Sequence, residues 1–118
     1  MQDYRKLKVW QKAHDLALKV YKATAGFPQN EIYALTSQLR RAVVSIPSNI
    51  FEGCGRDGIN ELKQFMNIAM GSANEAEYQL LLASELGYIS NCDHENLQNE
   101  IMEIRKMLSS YINKIKMS

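Results

Sequence analysis

The chain has 118 residues, 46% of them apolar and 23% charged, and a net charge of +1. That is one domain's worth of ordinary soluble composition, enough for a single modest core. It excludes a membrane-spanning helix, because no apolar run approaches about 18–20 residues.

The opening Met-Gln-Asp-Tyr-Arg-Lys is charged, with no apolar stretch behind it, so no secretory signal is expected. A cytoplasmic location follows as the default, with Cys54 and Cys92 reduced. Charge is unevenly spread. Residues 1–25 hold six Lys/Arg against two Asp, and residues 58–87 hold one Lys against four Glu.

The first helix is predicted over about residues 5–25. Leu7, Trp10, Ala13, His14, Ala17, Tyr21 and Thr24 recur at three- and four-residue spacing and form its expected inner face. Gly26 is the expected stop, taking the left-handed conformation open to glycine.

The second helix is predicted over about 30–54, capped by Asn30, with Glu31 in its positive first turn. Within it, residues 38–53 show three faces at about 100° per residue. Leu39, Ala42, Val43, Ile46 and Ile50 are apolar. Gln38, Arg41, Ser45, Asn49 and Glu52 form a polar stripe. Arg40, Val44, Pro47 and Phe51 form a third strip. A lone amphipathic helix needs only one apolar face, so the others suggest more than one neighbour. Pro47 predicts a kink, and Gly53, Gly55 and Gly58 the break.

The third helix is predicted over about 59–86, with Leu62, Phe65, Met66, Ala69, Ala73, Ala76, Leu80 and Ala83 inside. Small residues around Gly71 and Ser72 would let another helix approach closely. Ile68, Tyr78, Leu82 and Leu86 lie on the opposite side. Gly87 ends the helix. The fourth is predicted over about 92–116, capped by Ser90 or Asn91. Its stripe is Leu97, Ile101, Ile104, Leu108, Tyr111 and Ile115, and Lys114 and Lys116 sit at its negative end. Four helices with short connections predict a single all-α domain, an antiparallel up-down-up-down four-helix bundle with helix 2 kinked at Pro47.

Several segments also carry a family resemblance. These are Leu7-Lys8-Val9-Trp10-Gln11-Lys12-Ala13-His14, Tyr21, Phe27-Pro28, Glu31 and Tyr33-Ala34-Leu35-Thr36-Ser37-Gln38-Leu39-Arg40-Arg41-Ala42. Ser45-Ile46-Pro47-Ser48-Asn49-Ile50, Glu52-Gly53, Phe65, Ala69, Gly71-Ser72 and Glu75 complete the set. Together they resemble the bacterial 23S rRNA intervening-sequence proteins over nearly the whole chain. The resemblance implies a four-helix bundle assembling into a ring-like homopentamer, with no generally assigned activity. A related protein, the accessory variability determinant of diversity-generating retroelements, is a basic pentamer that binds nucleic acid and works with a reverse transcriptase. Two residues depart from the family pattern. Phe51 stands where alanine is usual before Glu-Gly, and Met70 where arginine is usual before Gly-Ser.

Three groups of residues are candidates for function. Arg41, Ser45, Asn49 and Glu52, facing Ser72 and Glu75, read either as a cleft or as a network fixing helix or subunit register. Arg5, Lys8, Lys12, Lys19 and Lys22, interrupted by Asp15, read either as a phosphate-contacting surface or as a solvated face. Val44, Phe51, Ile68, Leu82 and Leu86 are candidate oligomer contacts. No cofactor or metal motif is present, because histidine and acid spacings fit neither zinc nor a di-iron site. No serine has a histidine in a common motif, so no enzyme is expected. The glycines of 53–58 lack the Gly-Lys-Ser/Thr of a phosphate loop. The expected partners are further copies of the chain, then RNA or DNA, then an unidentified protein.

Overall fold

The computed structural model describes residues 3–117, with side chains through Ile115. Lys116, expected to help at the last turn, lies outside the described side chains. A 3-10 turn at Tyr4–Lys6 leads into α1 (Lys8–Thr24). A second at Gln29–Glu31 precedes α2 (Leu35–Cys54). Then come α3 (Ile59–Glu85) and α4 (Asn91–Met117). No strand occurs among the described residues. Each helix packs on its chain neighbours and α1 closes on α4, with the broadest contact between α2 and α3. The result is a four-helix bundle about 45 Å long. The two 27-residue helices, at about 1.5 Å per residue, account for nearly all of that length.

The core follows the apolar spacing of each helix. Leu39, Val43, Ile46 and Ile50 of α2 meet Met66, Ala69, Ala73, Ala76 and Leu80 of α3, and Ile101, Ile104 and Leu108 of α4 complete it. The α2–α3 contact is broad because α3 is lined with alanine and because Gly53 lies inside α2, not in the break. A Cβ at Gly53 would sit 2.9 Å from the Phe65 Cβ and 3.1 Å from the Met66 Cε. Only glycine lets the two backbones come this close.

On α1 the buried face is Val9, Ala13, Leu16, Ala17, Val20 and Thr24. Two stripes with helical spacing run side by side here, and the expected one was displaced by one residue at several positions. Trp10 is half-buried, and His14 and Tyr21 are exposed. Aromatic rings are long enough to lie over a seam from the flank, while the shorter Val9, Leu16 and Val20 fill the centre. On α4, Ile112 is buried and Tyr111 is half-buried for the same reason. On α3, Phe65 is half-buried and Gln79 is buried.

The helix ends also depart from expectation. Asn30 does not cap α2, since it lies in the 3-10 turn. Ala34, at φ −123° and ψ −106°, breaks the chain before Leu35, and α2 has no capping side-chain bond from Ala34. Glu31 acts at a distance instead: one carboxylate oxygen accepts from the Leu35 N–H at 3.5 Å. Gly26 is not left-handed, because among the described residues only Gly87 has positive φ. Arg40 serves the end of α1. Its Nε donates to Thr24 Oγ1 at 2.8 Å, its Nη2 donates to the Tyr21 carbonyl at 3.5 Å, and its guanidinium lies 4.7 Å from the Tyr21 ring centre. A cation at a helix C-terminus satisfies exposed carbonyls and complements the dipole. Gly87, at φ 79°, closes α3 with Gly87 N–H donating to the Ser84 carbonyl and Tyr88 N–H to that of Ala83, the paired bonds of a Schellman end. Ser90 Oγ accepts from Asp93 N–H at 3.1 Å and caps α4. α2 runs unbroken through Pro47, which is buried, not outward.

The α1–α2 and α3–α4 connections are tied together by Tyr88, whose hydroxyl donates to Glu31 Oε2 at 2.8 Å. That bond, above all, holds the phenol pKa above its ordinary value near 10. A raised folded-state value contributes stability that is complete below the unfolded pKa and lost as pH rises through the folded one. The stability difference between wild type and Tyr88→Phe is therefore expected to be constant below about pH 10 and to shrink above it. Urea midpoints across that range would show this, and a difference independent of alkaline pH would contradict it.

Candidate interaction surfaces

The most developed surface is an apolar groove of about 520 Å3 between α1 and α2. Trp10, His14, Leu18 and Tyr21 line it from α1, and Val44, Pro47 and Phe51 from α2. The displaced aromatic stripe of α1 and the third strip of α2 are thus two walls of one feature. Its aromatic end is ordered by ring contacts. Trp10 stacks on His14 with centroids 5.1 Å apart and planes within 5°, and Tyr4 meets Trp10 edge-on at 4.8 Å and Phe51 at 4.2 Å. Such pairs contribute roughly 0.5–1.5 kcal/mol each beyond their buried area. Even so, Phe51 remains 49% exposed, Leu18 52% and Val44 40%. His14 belongs to this groove as a stacked, exposed ring.

A second apolar strip runs along the outward side of α3. Ile68, Tyr78 and Leu86 are exposed and Leu82 is half-buried. Gly71 lies in the middle of this strip, and a Cβ there would meet no atom within 4 Å. The close approach expected at Gly71 has no partner inside the protomer, unlike that at Gly53. A mid-helix glycine costs roughly 0.5–1 kcal/mol relative to alanine. Gly71→Ala is therefore expected to stabilise the bundle by up to about 1 kcal/mol, measured by urea unfolding at low protein concentration. A loss of stability would show a hidden steric need for glycine.

The polar stripe is only partly one network. Ser45 Oγ and Ser72 Oγ are 2.7 Å apart, a cross-link between α2 and α3. Asn49 Nδ2 donates to the Ser45 carbonyl at 2.7 Å and to its Oγ at 2.9 Å. The other members go elsewhere. Glu52 pairs with Arg56 at 3.6 Å, and Glu75 accepts from Gln79 Nε2 at 3.4 Å. Arg41 is exposed and makes no polar contact among the described residues. The three joined groups are neutral and half-buried, and no imidazole or carboxylate touches either hydroxyl among the described residues. These bonds link α2 to α3 through Ser45 and Ser72. Gln79 was missed because a glutamine at a core position breaks the apolar pattern; its Oε1 is buried without a partner.

The basic stripe of α1 is broken up by α4. Lys19 Nζ lies 3.1 Å from both Glu100 oxygens, and Lys12 Nζ is 3.0 Å from Glu103 Oε1. Arg5 pairs with Asp3 at 3.3 Å, and its neighbouring N–H bond and charge hold the Asp3 carboxyl below its usual pKa. Lys8 and Lys22 are exposed and free of carboxylates among the described residues. Sequence periodicity assigns each lysine to a face, but the acids opposite come from residues 81 to 91 positions away and have no local signal. Cys54 is buried, and burial raises its thiol pKa; Cys92 is exposed and also free. Among the described residues no cluster of three or more metal-ligating side chains occurs, and no helix is long and apolar enough to cross a membrane.

Comparison with known proteins agrees with this architecture. A crystal structure from Bacteroides thetaiotaomicron, described as a protein of unknown function from the S23 ribosomal protein family, superimposes with a TM-score of 0.82. The two chains are 28% identical, and the match covers 89% of this chain and 95% of the other. No curated protein matches. The 23S rRNA-intervening sequence protein family matches residues 5–110, which take in α1, α2, α3 and α4 as far as Ser110, with both apolar surfaces and the Ser45–Asn49–Ser72 cross-link. The chain belongs to that family.

Proposed function

We propose that this chain is a non-enzymatic bundle whose copies assemble head to tail into a ring that serves as a scaffold. The observation that supports this most is the pairing of two different unsatisfied surfaces on one protomer: the α1–α2 groove and the α3 strip around Gly71. Contiguous exposed apolar surface of this kind usually marks an interaction site. Because the two surfaces differ and lie on different helices, a groove-to-strip contact is heterologous, and heterologous contacts form a ring when the rotation between neighbours closes and a filament when it does not. Gly71 would let the neighbour's α1–α2 rim approach the α3 backbone. A ring of five is what the family resemblance implies.

Thiol cross-linking tests the pairing. In a Cys92→Ser background, Leu18→Cys marks the groove and Ile68→Cys marks the strip. With a flexible bis-maleimide, the mixed variants are expected to give cross-linked dimers and each variant alone is not. Equal cross-linking of Leu18→Cys alone would mean a two-fold contact between like surfaces. No cross-linking in any combination would remove the assembly.

A second reading, an accessory that holds nucleic acid, is favoured by Lys8, whose groove has no acid, and more weakly by Lys22, which forms no ion pair but shares its hollow with Asp93 and Glu100. Repeated around a ring, such cations would contact phosphates. A purely structural or protein-binding module remains the alternative, and it predicts no salt-sensitive retention of RNA or DNA.

A further inference from the structure

The seam between α1 and α4 changes character along its length. At Glu100 and Glu103 it is bridged by ion pairs to Lys19 and Lys12, and the hollow beside Lys19 and Lys22 is lined by the acids Asp93 and Glu100. After Glu103, α4 contains no further acid, while Arg105, Lys106, Lys114 and Lys116 follow. Arg105 turns away to Glu77 on α3 at 2.9 Å. Here the seam opens into a groove of about 370 Å3. Lys8 borders it from α1, and Lys106 and Lys114 from α4, with Met107, Ser110 and Tyr111 between them. None of the three lysines has a carboxylate within 4 Å among the described residues, and no acid lines the groove. Lys106 and Lys114 are eight residues apart on one helix, about 12 Å at 1.5 Å per residue. Burial raises the Tyr111 phenol pKa, so the ring adds no negative charge.

We propose that this α1–α4 groove is the docking surface for a single strand of RNA, with Lys8, Lys106 and Lys114 on its phosphates. The inference rests on the nucleic-acid reading above but relocates it. Two of the five α1 cations are neutralised by α4, and the free lysines of α4 replace them. A strand suits the site better than a duplex because unpaired bases can lie on the apolar floor of Leu7, Met107 and Tyr111 while the phosphates follow the lysines. The groove lies on the flank of α1 away from α2, so the assembly proposed above leaves it open. A ring would repeat it and multiply avidity.

The test is fluorescence anisotropy with a labelled oligouridylate of about 20 nucleotides, from about 50 to 200 mM salt. With three phosphates neutralised per groove, log K is expected to fall against log salt with a slope near −2, taking about −0.7 per contact. Lys106→Glu with Lys114→Glu is expected to cost at least tenfold in affinity without changing the mass measured by light scattering. The control pair Arg41→Glu with Lys63→Glu makes the same charge change on α2 and α3, away from the groove, and is expected to cost less than threefold. Equal losses in the two pairs would overturn the groove in favour of a general charge effect. RNA binding that survives Lys106→Glu with Lys114→Glu would overturn the groove alone. No RNA retention by the wild type at the lowest salt would overturn the whole nucleic-acid reading and leave the assembly standing. Tighter binding of polyglutamate than of oligouridylate would assign the surface to an acidic peptide instead.

Discussion

Val44→Asp is expected to disperse the assembly while leaving the bundle folded. Val44 is 40% exposed in the protomer, on the wall of the α1–α2 groove. In the monomer its replacement removes little packing, and the carboxylate faces water. In a groove covered by a neighbour, the same carboxylate would be desolvated among Leu18, Tyr21 and Phe51, offset only in part by Arg40, which is already engaged at Thr24 and Tyr21, and by exposed Arg41, each one turn back on α2. An uncompensated buried charge costs about 3–5 kcal/mol, which sets an upper bound of about two to three and a half orders of magnitude in dissociation constant at about 1.4 kcal/mol per decade. Sedimentation velocity at micromolar protein would show the loss of mass, and circular dichroism the retained helix. Phe51→Ala acts in the same direction more weakly, because it removes area and the Tyr4 contact without adding charge. An unchanged sedimentation coefficient for Val44→Asp would place the interface elsewhere.

Gly53→Val is expected to have the opposite pattern, with damage to the bundle itself. The first carbon of any side chain at this position already stands 2.9 Å from Phe65 Cβ and 3.3 Å from Leu62 Cδ1. The nearest obstacle is a Cβ rigidly attached to the α3 backbone, so a rotamer change cannot relieve it. Valine adds two more carbons and would force α2 and α3 apart along their broadest contact. Overpacking of this kind costs about 1–3 kcal/mol and sometimes more, against a total stability of roughly 5–15 kcal/mol for a domain. A downward shift of the urea midpoint of the order of 1 M (about 0.3–3 M) is expected, given a slope of roughly 1–3 kcal/mol per molar. Full stability in Gly53→Val would mean that α2 and α3 can separate freely at this end.

The fold was legible because helical spacing is redundant. Leu39, Val43, Ile46 and Ile50, or Leu97, Ile101, Ile104 and Leu108, each give the same face several times over. Where two stripes run side by side, as Val9–Ala13–Leu16–Val20 and Trp10–His14–Ala17–Tyr21 do on α1, spacing alone cannot choose between them. Size misled the choice: the aromatics look like core but lie over the seam. This also changes the expectation for Trp10. A fully buried tryptophan truncated to alanine would cost about 3–5 kcal/mol. Half-buried Trp10 should cost less, with part of its effect falling on the groove.

The surfaces were legible only in outline. Val44, Phe51, Ile68 and Leu86 were identifiable as apolar residues on the wrong side of their helices, and they remain exposed in the protomer. Their joining with α1 into one groove depends on a packing angle that no local pattern encodes. The same holds for charge. Lys12 and Lys19 looked free because their partners, Glu103 and Glu100, come from the far end of the chain. The polar stripe split for a similar reason. Ser45 and Asn49 share a helix side one turn apart, and α3 brings only Ser72 against them.

Absolute mass by light scattering on a sizing column tests the assembly most directly. The account predicts a multiple of the 13.5 kDa chain, five-fold on the family resemblance, that falls to a single chain in Val44→Asp. A wild-type protein that elutes as a 13.5 kDa monomer across micromolar concentrations would contradict it, and the groove and the α3 strip would then need another partner.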